Sequence, residues 1–271
     1  MLDYSEHTSY TRYSSLQNKV VFITGGATGI GAALVEAFVA QASQVAFVDI
    51  DKEAANTLIE ILTAKNAAAK SLQEKEIKVP LFIECDVSNT QQIKHAIAEV
   101  QKALGDIDIL INNAANDQRY STVEIDEQEW MSSLSINLHP AFFTAQAVLP
   151  MMQKNGAGVI LNISSINVKF APENLVSYIT AKAGLIGMTK ALAKDFGVHS
   201  IRVNAILPGW VATPKQLEKW LTPEEEKKLV NRMCIKKRLA AHDVAALALF
   251  LAADDAAMIT AQEFVVDGGR M

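Results

Sequence analysis

The sequence predicts one doubly wound α/β domain: a parallel sheet of about seven strands with helices on both faces. Three observations carry that reading. Strand-length apolar runs alternate with helix-length stretches along nearly the whole chain. Several of those runs are apolar throughout rather than at every second residue, as expected of strands buried on both faces of a parallel sheet. The first run ends in a glycine-rich turn that opens directly into a helix.

Val20-Val21-Phe22-Ile23-Thr24 reads as the first strand, and Ala32 to Phe38 as the helix after the turn. Gly25, Gly29 and Gly31 lie between them. A strand, a tight turn and a helix start bring backbone N–H groups and the positive end of a helix dipole up to a phosphate. A side chain at any of these glycines would hold a pyrophosphate away or crowd the turn. Taken alone, the same pattern fits an ordinary strand-to-helix turn. Its context is the second strand, Gln44 to Val48, which ends at Asp49. An acid about 20 residues past the turn accepts hydrogen bonds from an adenosine ribose and repels a 2′-phosphate. Ile50 and Asp51 follow it, rather than a pair of arginines, so NAD is favoured over NADP. Lys52 is the nearby cation, and an acid on the helix surface is its alternative partner. Asp49 could also cap the next helix, and the two roles are compatible.

The series continues through strands at Leu81–Cys85, Ile107–Ile111, Val159–Ile163, Arg202–Ile206 and Glu263–Val266. Helical stretches lie near Ala54–Ala69, Thr90–Leu104, Ser132–Gln153, Ser177–Phe196 and His242–Ala252. Such a sheet places its ligand crevice at the carboxyl ends of the strands. The connection from Leu207 to Ala241 is long and holds helical pieces near Pro214–Trp220 and Pro223–Met233. Long excursions in compact domains are often lids or binding loops, and residues 207–241 are read as a substrate-loop insertion in a catalytic domain of residues 19–271.

Composition narrows the partners. Half of the residues are apolar, and the formal charge of −5 argues against nucleic acid or an anionic membrane as the main partner. No apolar run approaches a membrane span. Residues 1–18 are polar, without the basic start and apolar middle of a signal peptide, and read as a loose or partner-packed extension. Cys85 and Cys234 form no metal spacing and no disulfide framework; no metal is expected, and a reducing cytoplasm fits.

Chemistry-bearing residues cluster at strand ends. Asp86-Val87 follows the third strand and Asn112-Asn113-Ala114-Ala115 the fourth; Asn also tolerates tight turn geometry. The fifth strand runs into Ser164-Ser165. Tyr178 stands thirteen residues beyond Ser165, and Lys182 four later. On a helix the two share a face, one turn apart. An ammonium about 5 Å from a phenol favours the phenolate by roughly 3 kcal/mol at an effective dielectric near 20. That is roughly 2 pKa units, which draws a tyrosine from about 10 towards 8. Such a tyrosine is a general base for an alcohol near neutral pH. A Tyr–Lys pair at this spacing also suits a solvated surface, and a serine pair at a strand end also caps a helix. The glycine turn, Asp49 and this triplet on successive crossovers favour the catalytic reading.

These residues resemble the short-chain dehydrogenase/reductase family. The matching pieces are Thr24–Gly31, Asp49, Asp86-Val87, Asn112–Ala115, Asn137 within Ile136–Leu138, Ser165, Tyr178–Lys182 and Pro208-Gly209 through Thr213, so the resemblance spans roughly residues 18 to 269. It implies a Rossmann domain with Tyr178 as proton-transfer base and Ser165 orienting the reacting oxygen. Lys182 would lower the tyrosine pKa and hold the nicotinamide ribose, and Asn137 would hold a relay water. The implied NAD site comprises Gly25, Thr28, Gly29, Ile30, Gly31, Asp49, Asp86, Val87, Asn113, Ala114, Tyr178, Lys182, Pro208, Gly209, Val211 and Thr213, the last against the nicotinamide amide. A homotetramer is also implied, packed through the helices around Ser132–Gln153 and Ser177–Phe196. Ala115 departs from the family's usual glycine.

The run Asn112–Arg119, the stretch Pro208–Gln216 with Glu218-Lys219-Trp220 and Thr222–Glu224, and the ending Thr260–Gly269 resemble the bacterial aldose 1-dehydrogenases of this family. Those enzymes oxidise the anomeric carbon of a sugar to a lactone. Asn116, Asn167, Gln216 and Trp220, with Ser165 and Tyr178, would supply polar contacts to a polyol. Asn116, Asp117 and Arg119 equally suit a loop organised by an Asp117–Arg119 pair. Where xylose- and galactose-type members carry an aromatic residue after the fifth strand, this chain has Val168, followed by Lys169. The substrate is therefore expected to be a different sugar, a sugar acid attracted by Lys169 or Arg119, or another hydroxy-carbonyl compound. The alternatives are a carbonyl reductase acting on such compounds and a non-catalytic NAD-sensing protein, which would have no need of an activated base.

Overall fold

A computed structural model describes residues 10–71, 78–213 and 222–270. Strands β1 (Val20–Thr24), β2 (Gln44–Asp49), β3 (Leu81–Glu84), β4 (Ile109–Asn112), β5 (Gly158–Ile163), β6 (Ile201–Pro208) and β7 (Glu263–Val266) form one sheet in the order β3-β2-β1-β4-β5-β6-β7. Every pairing is parallel. Helices α1 (Gly29–Ala40), α2 (Lys52–Ser71), α3 (Thr90–Leu104), α4 (Glu127–Asn137), α5 (His139–Asn155), the short α6 (Asn167–Phe170), α7 (Val176–Phe196), α8 (Pro223–Asn231) and α9 (Ala241–Ala252) connect them.

All five residues of β1 are buried, and its side chains alternate between two cores. Val21 and Ile23 join the layer under α1 and α9, with Leu34, Phe38, Val244 and Leu249. Val20 and Phe22 join the layer under α3 and α5, with Ile93, Val100, Val148 and Met152. This is the doubly wound arrangement predicted from the unbroken apolar runs. The strand order reverses between β1 and β4, which opens the crevice at their carboxyl ends.

Four buried polar side chains cross the middle of the sheet. Thr144 on α5 donates to Asn112 Oδ1 at 2.6 Å, and Asn112 Nδ2 donates to Asn162 Oδ1 at 2.9 Å. Asn162 Nδ2 then donates to Thr189 Oγ1 on α7, also at 2.9 Å. Asn112 and Asn162 are direct partners in the β4–β5 register. Each buried group finds a partner, so the chain of bonds carries no desolvation penalty for an orphaned group.

The structure corrects two expectations. The stretch Ser132–Gln153 is two helices, because α4 ends at Asn137 and α5 begins at His139, with Leu138 at φ −130° and ψ −56° between them. Pro140 has no N–H for the carbonyl of Ile136, and its ring would collide with that carbonyl in a continuous helix. The described part of the amino-terminal extension is not loose. Leu16 is buried in the α1/α9 core, Tyr13 N donates to Gln41 Oε1, and Tyr10 stacks on His242 with ring centroids 4.1 Å apart. Apolar and aromatic anchors within a polar stretch hold residues 10–18 against the same domain. The predicted helix Pro223–Met233 is found as Pro223–Asn231, started by a Thr222–Glu225 capping box. The piece Pro214–Trp220 lies outside the described residues. No helix among the described residues is long and apolar enough to cross a membrane.

Candidate active site

The glycine turn after β1 is shaped by backbone. Gly25 has φ +65° and Gly29 φ +56°, in the left-handed region that other residues enter at a cost. A Cβ on Gly31 would stand 1.8 Å from the Gly25 carbonyl oxygen, and one on Gly25 would stand 2.7 Å from Ala114 Cα. Asn113 ties the turn to β4. Its side chain donates to the carbonyls of Thr24 and Gly25, while Thr24 Oγ1 accepts from the N–H groups of Asn113 and Ala114. Thr28, at the start of α1, gives no side-chain hydrogen bond to the helix. The first N–H groups of α1 therefore face the crevice without a capping side chain, in a cradle that admits no Cβ. That combination fits a dinucleotide pyrophosphate.

Asp49 closes the other side of this cradle. Its Oδ2 accepts from Ala27 N at 2.9 Å and its Oδ1 from Asp51 N at 3.1 Å. Asp51, not Asp49, bonds to the first turn of α2, through Ala54 N. Lys52 pairs with Glu84 at 3.6 Å. Asp86 is exposed and accepts from Ser88 N, while Val87 is buried beside it.

A cavity of about 250 Å³ opens between β4, β5, β6 and α7. Its walls bring together Ile30, Asn113, Ser165, Asn167, Tyr178, Lys182, Pro208, Gly209, Val211 and Thr213 from the predicted set. Thr213 also reaches the glycine turn: a Cβ on Gly29 would meet its methyl group at 3.1 Å. Asn116 is not on the wall, although Ala115, Asp117 and Arg119 on either side of it are. The backbone N–H and carbonyl of Asn116 are both bonded to the Asn137 side chain, which also donates to Ser133 O. Asn137 thereby fixes the path of the loop that carries Asp117 and Arg119. Gln216 and Trp220 lie outside the described residues. Trp210 and Arg270 line the cavity and were not singled out from sequence.

Tyr178 and Lys182 share one face of α7. The Lys182 Nζ lies 5.7 Å from the centroid of the Tyr178 ring. It donates to the Ile163 carbonyl at 2.8 Å, and Ser164 Oγ donates to the Lys182 carbonyl, which pins this part of α7 to the end of β5. Ser165 faces the Tyr178 phenol closely enough to favour the phenolate, and its Oγ accepts from Asn167 N. The expected drop in the tyrosine pKa is not found in the protein alone. Burial pushes the phenol up to about 12, against a downward pull from the neighbouring Ser165 and with a smaller upward push from Asp117. Burial also lowers Lys182 to about 7. The packing that brings the pair together removes the water that would stabilise either charge.

The chain is similar to known dehydrogenases along nearly its whole length. Residues 25–270 match the family described as enoyl-(acyl carrier protein) reductase. The chain is 43% identical over 259 residues to a protein of Rhizobium meliloti named as a probable galactose dehydrogenase, covering 96% of this chain and 97% of that one. It is 41% identical over 257 residues to the D-xylose 1-dehydrogenase of Caulobacter vibrioides, covering 95% and 97%. A solved structure from Burkholderia xenovorans, described as a candidate short-chain dehydrogenase/reductase, superposes with a TM-score of 0.83 at 30% identity, covering 94% and 97%.

Proposed function

Because the chain belongs to the short-chain dehydrogenase/reductase family, we propose that it is an NAD-dependent dehydrogenase that oxidises a sugar at its anomeric hydroxyl to a lactone. The observation that carries this reading is the meeting of Ser165, Tyr178 and Lys182 on the wall of a cavity that also reaches the glycine turn.

NAD, when bound, would supply the hydride acceptor. Ser165 and Tyr178 hold the anomeric oxygen between their hydroxyls. Tyr178, as its phenolate, would take the proton of the anomeric hydroxyl as C1 is oxidised to the lactone carbonyl. Lys182, whose Nζ already donates to the Ile163 carbonyl, would hold the nicotinamide ribose with its remaining N–H groups. Asn137 organises the Asn116 backbone where a relay water would leave the site. Asp49, with Lys52 already paired to Glu84, favours a ribose over a 2′-phosphate. Gly25, Thr28, Gly29, Ile30 and Gly31 hold the pyrophosphate; Asp86, Val87, Asn113 and Ala114 run beside the adenosine half. Pro208, Gly209, Val211 and Thr213 form the nicotinamide pocket. Asn167 and Ser165 contact the polyol. The assembly is a cytoplasmic homotetramer packed through α5 and α7, and the exposure of Phe142 on α5 supports that face.

The test is a panel of aldoses, uronic acids and polyols with NAD and with NADP, read by absorbance of the reduced cofactor. Turnover of an aldose with NAD, and slower turnover with NADP, is expected. No reduction of either cofactor by any sugar would reject the reading.

A further inference from the structure

Arg270 stands on the wall of the cavity, yet it is remote in sequence from every residue that carries the chemistry. The topology explains why it is there. All seven strands run parallel, so the chain leaving the carboxyl end of β7 emerges on the crevice side. Gly268 and Gly269, at φ +68° and +73°, then turn it across the opening. Their carbonyls accept from Ile235 N and Cys234 N, both at 2.9 Å, and Arg270 bridges Met233. The backbone beneath the arginine is therefore held along the segment Met233–Ile235.

The side chain is held as well. The guanidinium carbon lies 4.5 Å from the centroid of the Phe170 ring on α6. The residue is half-buried, and its guanidinium makes no hydrogen bond and no ion pair with any described residue. Burial and the neighbouring Arg232 disfavour its charge, and Asp267 only partly offsets them. An arginine keeps its proton even so, and presents its N–H donors in a planar fork. A partly desolvated cation, stacked on a ring and short of acceptors, is a prepared anion site. It shares its cavity with Tyr178 and Ser165.

We propose that Arg270, stacked on Phe170, binds an anionic group of the substrate at the end opposite the carbon that is oxidised. The substrate is then an anionic sugar, carrying a carboxylate or a phosphate monoester, rather than a neutral aldose. This deepens the dehydrogenase reading and rests on it.

The experiment compares D-galactose, D-galacturonate and D-galactose 6-phosphate with NAD, in the parent protein, Arg270→Gln and Arg270→Lys. The parent is expected to favour one of the anionic sugars over galactose by about tenfold or more in kcat/KM, and the favoured one identifies the group as carboxylate or phosphate. A charged hydrogen-bonded contact contributes roughly 10- to 100-fold. Arg270→Gln should lose about that factor on the anionic sugar, mainly in KM, and stay within about threefold on galactose. Arg270→Lys should fall between the two. Equal loss on charged and neutral sugars, or a parent that prefers galactose, would overturn the proposal while leaving the dehydrogenase reading intact. If no sugar is oxidised, that reading fails. Thermal shifts with each anionic sugar in the presence of NADH then decide the site: a shift with either one that Arg270→Gln abolishes supports it, and absence of a shift from both overturns it.

Discussion

The two sides of the crevice are built from different materials. On the β1–α1–β2 side the working groups are backbone: an uncapped helix start, two left-handed glycines, and a third glycine with no room for a Cβ. One side chain, Asp49, closes it. On the β5–α7 side the cavity is lined by side chains from four separate segments: Ser165, Tyr178 with Lys182, Trp210 and Arg270. A backbone site depends on shape, and a single added carbon can ruin it. A side-chain site depends on charge and protonation, and its groups can be exchanged while the fold persists. Substitutions on the two sides should therefore fail in different ways.

The largest effect belongs to the side-chain half. Tyr178→Phe should lower kcat by about 10²- to 10⁴-fold, the range for loss of a general base, with NADH affinity within a few-fold of the parent by fluorescence titration. A variant whose turnover stays near that of the parent would remove the proton-transfer role. Lys182→Met should also abolish turnover, yet raise stability. A lysine lowered from 10.5 to about 7 by burial costs about 5 kcal/mol of folding free energy below pH 7. Between pH 7 and 10.5 the unfolded chain still holds this proton and the native protein does not, so parent stability rises with pH across that window. The methionine should remove that slope. It leaves the Ile163 carbonyl without its donor, at about 1–3 kcal/mol, for a net gain of about 2–4 kcal/mol near neutral pH in denaturant titrations. A loss of stability would show that the ammonium is better solvated than the structure indicates.

Gly31→Ala tests the backbone half. It should cost about 1–3 kcal/mol through overpacking and should abolish NADH binding before it abolishes folding; unchanged binding would show that the turn can relax. Asp49→Ala should weaken NAD by about tenfold, the range of one charged hydrogen bond, and should weaken NADP less. Equal losses for both cofactors would reduce Asp49 to a brace for Ala27. The smallest effect is expected for Lys52→Ala. The exposed pair with Glu84 contributes less than about 1 kcal/mol, so both stability and cofactor preference should hardly move.

This contrast also decides what could be read from sequence. Gly25, Gly29, Gly31 and Asp49 lie within one strand–turn–helix–strand unit, so local spacing alone places them together. Tyr178 and Lys182 are equally legible as neighbours on one helix. Arg270 was not, because its place depends on where β7 ends and how Gly268 and Gly269 turn; the available signal was that a residue after the last parallel strand must emerge beside the crevice. The break at Leu138 was signalled by Pro140 and hidden by the apolar pattern on both sides of it. The tyrosine's direction of titration was missed because spacing predicts proximity but says nothing of lost water. Gln216 and Trp220 lie in the part of the 207–241 connection that is not described.

The hydrogen-bonded rungs from Thr144 through Asn112 and Asn162 to Thr189 tie the strand leading to Asn113 to the strand leading to Ser165, and both strands to α5 and α7 on one face of the sheet. Sliding β4 past β5 would break several buried bonds at once with no water nearby to replace them. The two sides of the crevice thus move as one rigid wall. Any opening of the crevice is therefore expected in the surface connections, with no hinge through the sheet.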